Sequence, residues 1–188
     1  QINIGNTTLF EKVAFLPKLQ TLFGSGSSYD AFGDGIYDPI ENQTWGARFD
    51  GRDTILGRPD ENGVEQKVPY SYLPGEKEKF FNTGVTIQND ISINAGDEKS
   101  NFFLSVQDVT TKGVVPDDEA RRTTFRINAG KTYGTVRVAT NLSYTAASYA
   151  VTNSPGPTYW YVINTPSQVP LTKYKNFLTD NFSNHNHY

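Results

Sequence analysis

Wherever hydrophobicity in this chain has a period, the period is two. Val85, Ile87, Ile91, Ile93 and Ala95 share one parity, with Thr86, Gln88, Asp90, Ser92 and Asn94 on the other. Phe102, Leu104 and Val106 repeat the pattern, as do Thr123, Phe125, Ile127 and Ala129, then Val136, Val138, Leu142 and Tyr144, and at the start Ile2 and Ile4. A β-strand turns successive side chains to opposite faces, so five strands are predicted, each apolar on one side and polar on the other. No segment carries the pattern of a long amphipathic helix. A turn over Gly96–Ser100 sets Ile93 opposite Leu104 and Ile91 opposite Val106. A turn near Lys131–Gly134 is expected to set Ala129 opposite Val136 and Ile127 opposite Val138, and Val106 falls beside Phe125. In every pairing the apolar faces coincide, which is the condition for one continuous greasy side.

The connections narrow the fold class further. Strand one occupies 1–12, and a connection from 13 to 81 follows, far longer than a hairpin loop. Strands two to five fill 82–148, joined by a short turn, a loop of intermediate length at 110–120, and another short turn. Residues 149–188 form a long segment without a clear return strand. Long and short connections in alternation suit a transmembrane β-barrel with short periplasmic turns and long extracellular loops. Strands of about ten residues suit a tilted bilayer crossing. The expected fold is therefore all-β: an antiparallel up-and-down meander forming part of a large transmembrane β-barrel. It is incomplete on its own, since five strands are fewer than the roughly eight of the smallest such barrel. Phe102, Phe103 and Tyr133 near the short turns, and Phe80, Phe81, Tyr144 and Tyr149 near the long loops, fit two interfacial girdles. Asn89, in mid-strand on the apolar side, counts against the idea.

Composition agrees with this outline. Hydrophobic residues make up 36% and aromatics 13%, too little grease for a thick dry core and too many rings for a disordered chain. A net charge of −3 removes the electrostatic case for nucleic acid as a partner. With Cys 0, disulfides, thiolate metal sites and a cysteine nucleophile are excluded. Met 0 and a start at Gln1 without a leader-like segment add the expectation of a piece of a longer protein.

Several motifs run in order along the chain. They are Pro17-Lys18-Leu19-Gln20, Phe23-Gly24-Ser25-Gly26, Gly33-Asp34-Gly35, and Trp45-Gly46-Ala47-Arg48-Phe49-Asp50-Gly51. Phe80-Phe81-Asn82-Thr83-Gly84-Val85, Asn101-Phe102-Phe103-Leu104-Ser105, Lys112-Gly113-Val114-Val115-Pro116 and Arg121-Arg122-Thr123 continue the series. Together they resemble the SusC/RagA-type TonB-dependent outer-membrane transporters over about residues 9–150. The resemblance implies the first five strands of a barrel of about twenty-two, in the bacterial outer membrane with its long loops extracellular. It implies TonB-dependent import of a glycan or peptide substrate, no enzymatic role, and outer-membrane lipid around the barrel. The implied partners are the remainder of the same barrel and its plug, a SusD-like surface lipoprotein, and the TonB complex through regions not in this chain. Alternatives are a soluble β-sandwich carbohydrate-binding module, a SusC-like barrel serving in a secretion or adhesion assembly, and a surface glycosidase using two loop carboxylates.

No catalytic set is visible. Trp45, Arg48 and Asp50 are candidate substrate or partner contacts; the competing structural role has Trp45 pinning the loop while Arg48 and Asp50 pair locally. Tyr159, Trp160 and Tyr161 are candidates for a carbohydrate surface, a lipoprotein contact or an upper girdle. No cofactor is expected, with one calcium candidate: Asp30, Asp34, Asp38 and Glu41 reproduce positions 1, 5, 9 and 12 of a calcium loop, with Gly35 at the sharp turn. Phe32 at position 3, Pro39 and the lack of flanking helices oppose it. His185 and His187 sit in a polar tail with no third ligand nearby. Arg126, Asn128, Arg137 and Asn141 lie on the polar face, where a barrel meets its plug. The glycines at 24, 26, 33 and 35 lack the Lys-Ser/Thr of a phosphate loop.

Overall fold

The structure, a computed structural model, describes residues 1–57, 59, 62–151 and 155–174. The chain divides into two units. The first unit, Gln1–Lys12 with Asn82–Asn153, is an antiparallel sheet built from β1 (Ile2–Glu11), β4 (Gly84–Gly96), β5 (Ser100–Lys112), β6 (Glu119–Tyr133) and β7 (Val136–Ala150), side by side in that order. The strands exceed the expected ten residues in four cases, at 13, 13, 15 and 15. The loop expected over 110–120 shrinks accordingly, since β5 and β6 remain paired as far as Lys112 and Glu119.

Register follows the alternation. Ile91 faces Val106 and Ile93 faces Leu104, and Val106 faces Phe125. The last hairpin differs: Ala129 pairs with Thr140, and Ile127 with Leu142, not with Val136 and Val138. The reason is a turn centred two residues further along the chain than expected. Tyr133 pairs directly with Val136, and Gly134 takes the left-handed conformation (φ 59°) that a two-residue hairpin turn demands. The displacement is an even number of residues, so side chains keep their faces.

Two rows cross the sheet without a polar residue: Ile4–Ile91–Val106–Phe125, ending on Tyr144, and Ile2–Ile93–Leu104–Ile127–Leu142. Neither face buries these side chains. Among all the strand residues of this sheet only Gly84 is buried, and every residue of β1 and β7 is exposed. Ile4 is 80% and Leu142 56% exposed. The sheet is open: β1 and β7 each pair on one side only among the described residues, and no closed barrel forms.

The second unit, Val13–Phe81 with Ser154–Tyr188, contains a two-stranded ribbon of β2 (Asp53–Ile55) and β3 (Lys67–Pro69), a short helix α1 (Glu76–Phe80), a helix α2 (Pro155–Asn164) and a 3₁₀ turn Leu171–Tyr174. Here lies the buried core: Leu56, Val162, Val169 and Leu171, against which Val68, Phe80 and Phe81 pack. The tail expected to be loop thus includes a helix. Prolines at 155 and 157 suit a first turn, whose amides have no intrahelical acceptor, and Pro166 follows its end.

Candidate functional site

The motif-rich loop folds around close backbone approaches that only glycine permits. A Cβ on Gly46 would stand 2.0 Å from the Ser25 carbonyl oxygen, and one on Gly35 2.1 Å from that of Gly46. One on Gly26 would meet the Ile36 carbonyl oxygen at 2.1 Å, at a φ of 134°. Three separate stretches of chain therefore touch backbone to backbone, stitched by Trp45 N–H to Gly26 O (2.8 Å) and Gly46 N–H to Gly24 O (3.1 Å). Gly24 packs under the rings of Tyr70 and Phe49. Tyr70 is buried; its hydroxyl donates to the Ala47 carbonyl at 2.5 Å, and burial pushes its pKa up to about 12. The Tyr37 ring meets Tyr70 edge-on, and its hydroxyl, also raised in pKa by burial, donates to the Ile55 carbonyl.

Against that frame the candidate contacts separate. Trp45 is half-exposed (53%) and its ring lies 6.2 Å from that of Phe23. Arg48 forms a bridge with Phe23 through its backbone while its side chain is exposed. Asp50 does not pair with Arg48. It takes Arg52 instead, at 2.6 Å, and this hydrogen bond holds its carboxyl below the usual range. A partner two residues away on the same turn out-competes one on the opposite flank.

The calcium arrangement is not formed. Among the described residues no three His, Cys, Asp or Glu side chains gather as ligands. Each carboxylate serves its own turn: Asp30 Oδ1 accepts from the amides of Phe32 and Asp34 (2.8 and 2.9 Å), Asp38 from that of Ile40, and Glu41 from that of Gln43. Such local bonds compete directly with the inward geometry a cation requires. Asp34 contributes its backbone, not a ligand. His185 and His187 lie outside the described residues.

Tyr159, Trp160 and Tyr161 sit on α2. Tyr159 donates to the Phe15 carbonyl at 2.8 Å and its ring stands 6.2 Å from Phe81, an anchoring role. Trp160 and Tyr161 are each 64% exposed. On the sheet, Arg126 pairs in register with Ser143 and Asn128 with Asn141 on the polar face. The same face carries a chain of bonds from Gln88 to Asp90 (2.7 Å), Gln107 to Asp90 (2.8 Å) and Arg122 to Gln107 (3.2 Å). On the apolar face, Asn89 is less exceptional than its sequence position implied. It accepts from Asn6 Nδ2 at 2.7 Å, in a row continued by Asp108 and Thr123, which bond to each other at 2.5 Å. Arg121 joins Asp108 at 3.2 Å.

Sequence reasoning did not single out Glu76 and Lys77. Glu76 accepts from the amide and hydroxyl of Thr172 (2.9 and 2.8 Å), and Lys77 donates to the carbonyls of Ile163 and Thr165, the latter at 2.6 Å. A cation thus meets the carbonyl end of α2 and an anion the start of the 3₁₀ turn, as the backbone dipoles favour. In sequence the run Glu76-Lys77-Glu78-Lys79 resembles an ordinary solvated surface. No known family model matches the chain, and no curated protein matches it.

Proposed function

We propose that this chain is a barrel-wall and outer-loop part of a SusC-like outer-membrane transporter, with the sheet in the membrane and the long loops extracellular. The observation that carries this reading is the continuous apolar face of the five-stranded sheet, none of whose side chains is buried, flanked by two open strand edges. Water does not stabilise such a surface: unburied rows of Ile, Leu, Val and Phe and two unpaired edges invite aggregation. A bilayer covers the apolar rows, and further strands satisfy the edges. The polar face, with Asp90, Arg122 and Arg126, then meets the lumen or plug. Asn6, Asn89, Asp108, Thr123 and Arg121 satisfy one another, which lowers the cost of holding them on the lipid side.

In this reading the motif glycines have a structural task. They let the loop from 13 to 81 close on itself, so that Trp45, Trp160 and Tyr161 are offered on a rigid support to substrate or to a surface lipoprotein. Import itself, the glycan or peptide substrate, the SusD-like lid and the TonB coupling are inherited from the motif resemblance.

Spin labels placed one at a time along β4 and β6 of the assembled protein test the membrane assignment. Labels at 91, 93, 125 and 127 should collide with oxygen dissolved in lipid, and labels at 92, 94, 126 and 128 with a water-soluble nickel reagent. Equal access of the nickel reagent to both parities, or cooperative folding of the chain as a soluble monomer without detergent, would sink the proposal in favour of a soluble module.

A further inference from the structure

The second unit carries an open cavity of about 330 Å³, near the lower limit of ligand pockets at about 300 Å³. Much of its wall is apolar, including Leu16, Leu19, Ile163 and Val169, and Lys77 lines it. The Lys77 ammonium has three N–H donors, of which two are directed to the carbonyls of Ile163 and Thr165. Its hydrogen-bond partners are therefore neutral, and the Glu78 carboxylate acts on it through space only. The described residues hold two ion pairs, Arg52–Asp50 and Arg121–Asp108, and neither involves Lys77. One donor of a partly buried cation is left uncommitted on the wall of a partly apolar cavity.

We propose that this cavity binds a small monocarboxylate with an apolar body, its carboxylate accepting the uncommitted N–H of Lys77 and its body lying against Leu16, Leu19, Ile163 and Val169. A charge-assisted bond to a carboxylate supplies what two carbonyls cannot, a counter-charge for a cation withdrawn from water. Burial holds the Lys77 pKa down to about 8 despite the opposing pull of the Glu78 carboxylate. The remaining charged residues of the lining set the selectivity. Glu76 is engaged by Thr172, and Glu78 also borders the space; both repel a second negative charge, so a dicarboxylate is rejected. Lys18 adds a cation on the same lining. The cavity lies wholly within the second unit, so the proposal stands independently of the membrane assignment.

Titration of 4-methylpentanoate into the assembled protein in detergent, followed by heat and by ligand-observed NMR, tests the idea. Saturable binding is expected, at least tenfold tighter than for the uncharged 4-methylpentan-1-ol and for the dianion 3-methylglutarate. Lys77→Met should weaken it at least tenfold while Phe32→Ala, at an exposed residue outside the cavity lining, leaves it unchanged. The alcohol binding as tightly as the acid would overturn the proposal with no variant needed. So would unchanged affinity in a folded Lys77→Met protein, or no saturation by the acid.

Discussion

Gln168 donates its side-chain amide to the hydroxyl of Ser25 at 2.5 Å, and both residues are fully buried. The bond ties the segment after α2 to the glycine-rich loop, and the Gln168 Oε1 atom has no partner among the described residues. Ser25→Ala strands the amide as well, which should cost about 1–3 kcal/mol. Replacing both members with apolar groups, Ser25→Ala with Gln168→Leu, should cost less than Ser25→Ala alone. Urea unfolding of the three proteins checks the order.

The motif glycines predict a contrast. Gly46→Ala drives a methyl into the Ser25 carbonyl, and two backbones must part; the expected loss is about 3 kcal/mol or more. Gly33→Ala meets nothing within 4 Å and only strains a φ of 83°, for about 1 kcal/mol. Thermal unfolding should show the first loss as several-fold the second.

The membrane assignment predicts a strong parity effect on charge. Ile127→Arg places a cation on the apolar rows and should cost about 2–4 kcal/mol near the bilayer midplane. Asn128→Arg, one residue on and facing the other way, should be tolerated. Heat-modifiable electrophoretic mobility of the assembled barrel reports both.

Lys77 ties stability to pH. Its folded pKa of about 8 lies below the ordinary 10.5, so between those values the unfolded chain binds more protons than the folded one. Stability then rises with pH across that window and is flat below it. Allowing for solvent screening of a partly exposed group, the gain is about 1–2 kcal/mol. Urea midpoints from pH 7 to 10.5 measure it, and Lys77→Met should abolish the slope.

Calcium should have no effect on the loop of Asp30, Asp34, Asp38 and Glu41, where the carboxylates of Asp30, Asp38 and Glu41 accept from amides of their own turns and Asp34 bonds through its backbone. Calorimetric titration of the chain with calcium should show no saturable heat dependent on Asp34 or Glu41.

Much of the sheet was legible because strand parity is a strong, local signal. Ile91–Val106, Ile93–Leu104 and Val106–Phe125 follow from alternation and the turn between the first two segments. The last hairpin was misplaced because its turn depends on Gly134 entering the left-handed region, while the apolar residues tolerate any even displacement. The loop was less legible. Its glycines stood out in the motifs, but their reason, contact between stretches remote in sequence, has no local signature. Asp50 found Arg52 and not Arg48 because turn geometry, rather than spacing, decides which flank a carboxylate meets. Lys77 was hidden for a related cause: a lysine in an alternating charge run reads as solvated until the carbonyls it caps are brought from the far end of the chain.

Glu11 and Gly84 face each other at the end of the β1–β4 ladder. For the sheet, everything from Lys12 to Thr83 is thus the tip of a hairpin, however much chain it contains. Loop-closure entropy rises only with the logarithm of length, so the pairing of β1 with β4 is nearly indifferent to what is inserted there. The excursion can be lengthened, shortened or exchanged between relatives without disturbing a single strand register. Selection can therefore rewrite its surface while the pairing of the five strands stays constant.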